Sequence, residues 1–570
     1  MSKTLYVDLN HASASDSNLG SAEAPFLTIQ AAVDAASPGD TVLVMPGIYR
    51  EAVTIAKSGL SKERPFTLMA ARPGETIIRG SDVVTQWQPA GIGLYRCHWP
   101  HQVTILKEKQ FGFCAHPDQV FVDGQLLEHV AKREELTPNS FWIDRPNQFV
   151  YIRLADGDAP LARLVEVSRR ARWVTVKKQV PVPSADLGAT QKQYDERLDD
   201  LRFVRLAGLR MEHSTASVQE YGCCFFVNDG LVEDCEFAYA GAGSGMKFRG
   251  DRNLIRRCRF HHNGQMGFGG GHGRESIFED NYVYQNNTRP IRGWESGVGK
   301  ITYAIEYIFR RNVFADHAYG PGLWLDIDNY RCVVEQNLFS NIDSNAIMVE
   351  ISYDNIVRNN IIVNTNCHPA WSHSRCGILV QLCCKTKVYN NLIYGTDGYG
   401  VHLRWHVRKR DIHPFPDISP EQAVKEYGID FSDWMGAADQ YPLDDNEIYN
   451  NILINNSMGA IRIDFQNDFV HNNRSDHNIF WDYVMEHPMD GGHRLLEWQR
   501  MTGLDEHSIY IRGRANIPPM VTNVDQLDFQ LVDGCPAIGA GTPVEGLTDD
   551  FLGNSRPAGK MPDIGPYQKS

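Results

Sequence analysis

The stretch Gly320–Asn360, GPGLWLDIDNYRCVVEQNLFSNIDSNAIMVEISYDNIVRNN, holds one pattern written twice. GLWLDI (Gly322–Ile327) leads into VVEQNLF, and AIMVEIS (Ala346–Ser352) leads into IVRNNII. Laid over each other, the copies set Asp326 on Glu350 and Asn337 near Asn360. Each acid sits in an alternating apolar run, between Leu325 and Ile327 or between Val349 and Ile351. Alternation of period two predicts strands, with both carboxylates leaving the same face. If the copies are successive coils of a solenoid, the two strands are neighbours about 4.8 Å apart. Two carboxylates stacked at that spacing are a candidate catalytic pair.

The same template recurs outward from this pair. LVEDCEF, LIRRCRF, IFEDNYV, IFRRNVF, VVEQNLF, IVRNNII, KVYNNLI and EIYNNIL share a marked position at Cys235, Cys258, Asn281, Asn312, Asn337, Asn360, Asn391 and Asn451. The steps between them are 23, 23, 31, 25, 23, 31 and 60 residues. A period near 23 with occasional insertions predicts a β-solenoid with loops leaving some coils. The recurring Asn is expected to stack as an internal amide ladder. A second column has its outward position at Arg249, Gly271, Thr302, Asp326, Glu350, Gln381, Arg404 and Asp464. Two residues earlier stand Lys247, Gly269, Lys300, Trp324, Met348, Leu379, His402 and Arg462. One face of one sheet should therefore carry a polar strip, with space beside it at the glycines.

The flanks fit this frame. Residues 4–56 read as a strand, an amphipathic helix over Thr28–Ala36 and a strand at Thr41–Met45. This order, with GDTVLVMPGIYRE, resembles the N-terminal cap of right-handed parallel β-helix proteins, and the ending DFQLVDGCPAIGAG resembles their last coils. The expected fold is all-β, a right-handed parallel β-helix. Residues 1–80 would form its cap and first coils. An antiparallel β-sandwich would be inserted at 81–168, where short strands with hairpin punctuation replace the repeat. Residues 169–570 would form the main solenoid, with a surface excursion at 177–200. A lid-like insertion carrying Trp434 is expected near 405–445, behind the 60-residue step.

The bulk chemistry narrows the function. A net charge of −14 and the lack of a basic, aromatic-interleaved run argue against nucleic acid or an anionic membrane as partner. No stretch approaches the ~18 apolar residues of a membrane span. The N-terminal MSKTLYVDLNHASAS lacks an apolar leader core, so a cytoplasmic location is expected. The twelve cysteines make no CxxC pair, which argues against a zinc ribbon. No cofactor is expected. A structural calcium held by Asp326, Asp328 and Glu350 is the metal alternative.

Glycosidases use two carboxylates, and a gap of about 5–5.5 Å supports double displacement through a covalent glycosyl-enzyme. Stacked neighbours at 326 and 350 predict that distance. Two like charges so close cannot both ionise easily, so one pKa should rise. The bland alternative is a solvated polar ladder, but stacked like charges destabilise a sheet.

WLD on one coil, a Glu in a V-E-I context on the next, and GWESGVGKI upstream resemble glycoside hydrolase family 120, right-handed β-helix β-xylosidases. The resemblance implies a retaining, exo-acting hydrolase of oligosaccharides, with Asp326 as nucleophile and Glu350 as acid/base. The chain departs from the family pattern after the Glu, where EISYDN stands. Trp324 offers an aromatic face to a sugar. Glu295, Lys300, His317, His272, Gln381, His402 and Arg404 are the other expected substrate-binding residues. The rivals are a β-helix polysaccharide lyase using Lys or Arg as base, and a non-catalytic carbohydrate-binding solenoid. A projecting sandwich also suggests a homo-oligomer.

Overall fold

The computed structural model describes residues 2–155, 157, 160–177, 201–293, 296–365, 375–408, 425, 440–465, 468–482, 489, 494–512 and 520–569. The chain is a parallel β-helix built from three long sheets of 13, 11 and 13 strands. Each coil gives one short strand to each sheet. Strand alternation decides what faces inward: Leu323, Leu325, Ile347 and Val349 are fully buried in the apolar interior. Aromatic stacks fill the wider coils, with Phe268 and Phe278 rings 4.2 Å apart and Phe314 and Phe339 4.7 Å apart.

The expected ladder runs through the corner between two sheets. Asn281, Asn312, Asn337, Asn360, Asn391, Asn451 and Asn478 bond in series, each Nδ2 donating to the next Oδ1 at 3.0–3.1 Å. Each Oδ1 also accepts a backbone N–H from the coil before, as Asn337 does from Asn312 at 2.9 Å. The residue preceding each ladder Asn turns the chain with positive φ, among them Arg311, Gln336, Asn359 and Asn390. This αL corner disfavours most side chains. The buried amide bonds offset its cost.

Helix Ile29–Ala35 covers the open N-terminal end, with Thr28 as its N-cap. Its apolar side, Ile29, Ala32 and Val33, is buried on the first coils. The helix is one residue shorter at each end than the sequence pattern predicts.

Between strands Thr76–Arg79 and Val174–Val176 the chain leaves the coil. There it forms a four-stranded antiparallel sheet and a five-stranded sheet around Trp87, Phe141, Val150 and Val165. One pairing, Glu128–His129 with Ser140–Asp144, is parallel, where the hairpin pattern predicts antiparallel strands throughout. The unit docks on the solenoid by Phe121 stacked on His213, centroids 3.5 Å apart, and by Arg79 paired with both Glu166 and Glu212.

The C-terminal segment runs back along four coils. Gln336 Nε2 donates to the Asp550 carbonyl (2.7 Å), and Arg556 Nη2 donates to Asn359 Oδ1 (3.1 Å). Asn390 Nδ2 donates to the Asp563 carbonyl (3.0 Å), and Asn450 Nδ2 to the Thr542 carbonyl (2.8 Å). Among the described residues no helix is long and apolar enough to cross a membrane. The excursion at 178–200 and most of the 405–445 insertion, with Trp434, lie outside the described residues.

Asn337→Ala removes the acceptor of a buried backbone N–H and the donor to the Phe309 carbonyl. An orphaned buried polar group costs ~1–3 kcal/mol, so a loss of about 3 kcal/mol is expected. It is read as a lowered unfolding midpoint. An unchanged midpoint would mean that the amides do not hold the coils.

Candidate active site

The 11-stranded sheet carries the polar strip, in the register the repeat predicts. Asp326 pairs with Glu350, Glu350 with Gln381, and Gln381 with Arg404. In the adjacent column, Lys247 pairs with Gly269, Gly269 with Lys300, Lys300 with Trp324, Trp324 with Met348, and Leu379 with His402. These side chains face out of the helix yet are covered: Asp326 and Glu350 are each 5% exposed.

Asp326, Glu350 and most of these neighbours line a cavity of about 750 Å³. Tyr221, Lys247, Lys300, Trp324, Arg404 and Arg408 are among its walls, with His406 beside them. The glycines beside the strip do not leave the open room expected of them. A Cβ on Gly269 would lie 2.6 Å from the Tyr221 hydroxyl, so Tyr221 occupies that place and becomes a wall.

Each carboxylate is held differently. Asp326 Oδ2 is 2.8 Å from Lys300 Nζ, while its buried Oδ1 has no hydrogen-bond partner among the described residues. Glu350 Oε1 accepts from Gln381 Nε2 (2.7 Å) and Arg408 Nη1 (2.9 Å). Glu350 Oε2 accepts from the Trp324 indole N–H (3.2 Å). Arg404 Nη1 donates to Gln381 Oε1 at 2.7 Å, which fixes the amide so that its NH₂ end faces Glu350. Burial, and then the Asp326 charge, push the Glu350 carboxyl up to about 7, against the pull of Arg408 and Gln381. Trp324 presents less of a platform than expected, because Lys300 Nζ sits 4.0 Å from its ring centroid.

Of the expected substrate-binding residues, Trp324, Lys300, Gln381 and Arg404 line the cavity. Glu295, with Trp294, lies outside the described residues. The structure does not bring the three histidines to the cavity. His272 occupies the αL corner one residue past the strip (φ 50°), its ring 4.7 Å from Tyr303. His317 ends a strand of another sheet, paired in register with Ile342, and burial lowers its pKa to about 3. His402 stands two residues before the cavity-lining Arg404 on the same strand but is not among the lining residues; its Nε2 is 3.4 Å from Asp464, and its pKa is lowered chiefly by burial.

Sequence reasoning does not find Tyr221, Arg408 or His406. Arg408 and His406 follow the strand Tyr399–Arg404 at the root of the long insertion, where no repeat marks them. The only available signal was their position directly behind the strip. Asp326, Asp328 and Glu350 do not converge as an ion-binding set. Among the described residues, Asp476, His477 and His507 alone bring three such ligand atoms together.

The sequence matches the family model for a right-handed β-helix region over residues 208–413. No curated protein matches it in sequence. Among solved structures, the complex of XylC with xylose is similar at a TM-score of 0.62 and 16% identity, covering 100% of this chain and 98% of that one. A structure described as a glycoside hydrolase reaches 0.47 at 10% identity, covering 84% and 96%. A mannuronic acid specific polysaccharide family 6 lyase from human gut microbiota reaches 0.45 at 12%, covering 90% and 83%. The likeness to the XylC complex is one of fold.

The raised carboxyl has a thermodynamic signature. The folded pKa of Glu350, about 7, lies above its ordinary 4.5, so between those values the folded state binds more protons than the unfolded one. Glu350's contribution to stability is therefore complete below about 4.5 and is lost as pH rises through about 7. Unfolding midpoints of wild type and Glu350→Gln should shift in the variant's favour across that window. Parallel curves would contradict the assignment.

Proposed function

We propose that this chain is a retaining glycoside hydrolase, exo-acting on oligosaccharides, with β-xylosides the first candidates. The carrying observation is the in-register pair: Asp326 and Glu350 stand on adjacent strands, with Glu350 titrating near neutrality. Strand neighbours start about 4.8 Å apart, the spacing of a nucleophile and an acid/base that share one sugar. The alignment with the XylC–xylose complex supports the choice of sugar only through a shared fold.

The roles follow from what each oxygen touches. Lys300 holds Asp326 Oδ2, leaving Oδ1 to attack the anomeric carbon. Two donors occupy Glu350 Oε1, so the acid proton belongs on Oε2, which among the described residues meets only the Trp324 N–H. That proton passes to the glycosidic oxygen as its bond to carbon breaks, and the aglycone leaves. Asp326 is now a neutral ester. Its charge, the second cause of Glu350's raised pKa, is gone, and Glu350 becomes the stronger acid it must be to exist as a carboxylate. It then removes a proton from water, whose oxygen attacks the same carbon and releases Asp326. In the rival lyase reading, Lys300 as base would have to abandon its contact with Asp326.

A screen of aryl glycosides tests the proposal. Glu350→Ala should lower turnover about 10²–10⁴-fold, least for the best leaving groups, and Asp326→Ala should fall to background. Azide should rescue the Asp326 variant as a glycosyl azide of inverted anomeric configuration. The wild-type kcat/KM should fall as pH rises above about 7, as the acid proton is lost. An ultraviolet-absorbing unsaturated product, or full activity in Asp326→Ala, would refute it.

A further inference from the structure

The cavity is cationic inside an acidic protein. The chain carries a net charge of −14, yet Lys247, Lys300, Arg404 and Arg408 line the cavity against only Asp326 and Glu350. Two of these cations are matched with those carboxylates, Lys300 with Asp326 and Arg408 with Glu350. Arg404 is not. Among the described residues its hydrogen bond goes to the neutral Gln381 Oε1, at 2.7 Å, and no carboxylate lies within ion-pair distance. Arg404 is half-buried, and burial is the leading influence pulling its pKa down. Asp464 and Glu350 draw it back up only from beyond ion-pair distance, so a half-buried guanidinium keeps donors that a ligand carboxylate can satisfy directly. Its planar fork carries five N–H donors and suits a carboxylate bidentately.

Position on the strip says where that ligand group lies. The order along the sheet is Asp326, Glu350, Gln381, Arg404, one coil apart at each step. The bond to be cleaved has its carbon at Asp326 and its departing oxygen at Glu350. Arg404 therefore stands on the leaving-group side.

We propose that the substrate is an acidic glycoside whose leaving-group sugar carries a carboxylate, a uronic acid residue, held by Arg404. This assignment rests on the hydrolase reading for its direction and on the unmatched guanidinium for its charge. Binding of the acidic sugar is driven by charge and weakens as salt rises.

The test uses two aryl glycosides of the sugar that the screen identifies, one with a phenyl and one with a 3-carboxyphenyl leaving group. Wild type should show the lower KM for the carboxyphenyl probe. Arg404→Gln should raise KM for that probe about ten- to a hundredfold more than for the phenyl probe, and Arg404→Lys should recover part of the difference. Equal losses on both probes would make Arg404 only a prop for Gln381 and overturn the proposal. Calorimetry on Asp326→Ala with D-glucuronate and D-glucose separates the two readings. Glucuronate binding that Arg404→Gln weakens, with no glycoside hydrolysed by wild type, keeps the anion site and removes the hydrolase. Hydrolysis without preference for the carboxyphenyl probe, and no glucuronate binding, does the reverse.

Discussion

The amide ladder from Asn281 to Asn478 is the constraint on which the rest hangs. A strand has a side-chain period of two, so a slip of one residue between coils would exchange every inward and outward position. Leu325 and Val349 would then enter the cavity, and Asp326 and Glu350 would enter the core. Hydrophobic burial alone resists such a slip in proportion to area. The ladder resists it at one point per coil, because a displaced amide leaves buried donors and acceptors unmatched. Registry of the polar strip is thus inherited from a corner of the coil that never touches it.

Within the cavity the balance of charge sets the chemistry. Burial and Asp326 both favour a neutral Glu350, while Arg408 and Gln381 favour the carboxylate. Burial and Asp326 outweigh the opposing groups, so the carboxyl rises from its ordinary 4.5 to about 7. Trp324 joins the carboxylates physically: its indole N–H reaches Glu350 while its ring lies under the ammonium that pairs with Asp326. Gln381, braced by Arg404, completes this frame from the far side. These supporting groups come from successive coils, so repetition of a simple turn has built an asymmetric site.

What the sequence disclosed was whatever repeats. The ladder positions, the strip and the pairing of 326 with 350 all follow from periodicity, and the structure reproduces their register. What it hid occurs once. Arg408 and His406 belong to an insertion without a template. Tyr221 fills the place beside Gly269 from two coils away, a contact between columns that no spacing displays. The histidines misled because residue type was read without backbone conformation. His272 falls just after the strip, where the row His272, Tyr303, Ile327, Ile351 and Leu382 all adopt positive φ and turn the chain off the sheet.

The returning C-terminal segment changes the mechanics of the rod. In a simple solenoid each coil feels only its neighbours, so the array can fray from an end. Here Gln336, Asn359, Asn390 and Asn450 on four successive coils are all tied to one stretch of chain between residues 542 and 565. That stretch works as a splint alongside a stack of rings, so the last rings cannot peel off without also releasing those in the middle. The splinted rings begin with the one that carries Trp324 and Asp326, so the wall bearing both carboxylates, Gln381 and Arg404 is braced from behind as a single stiff plate.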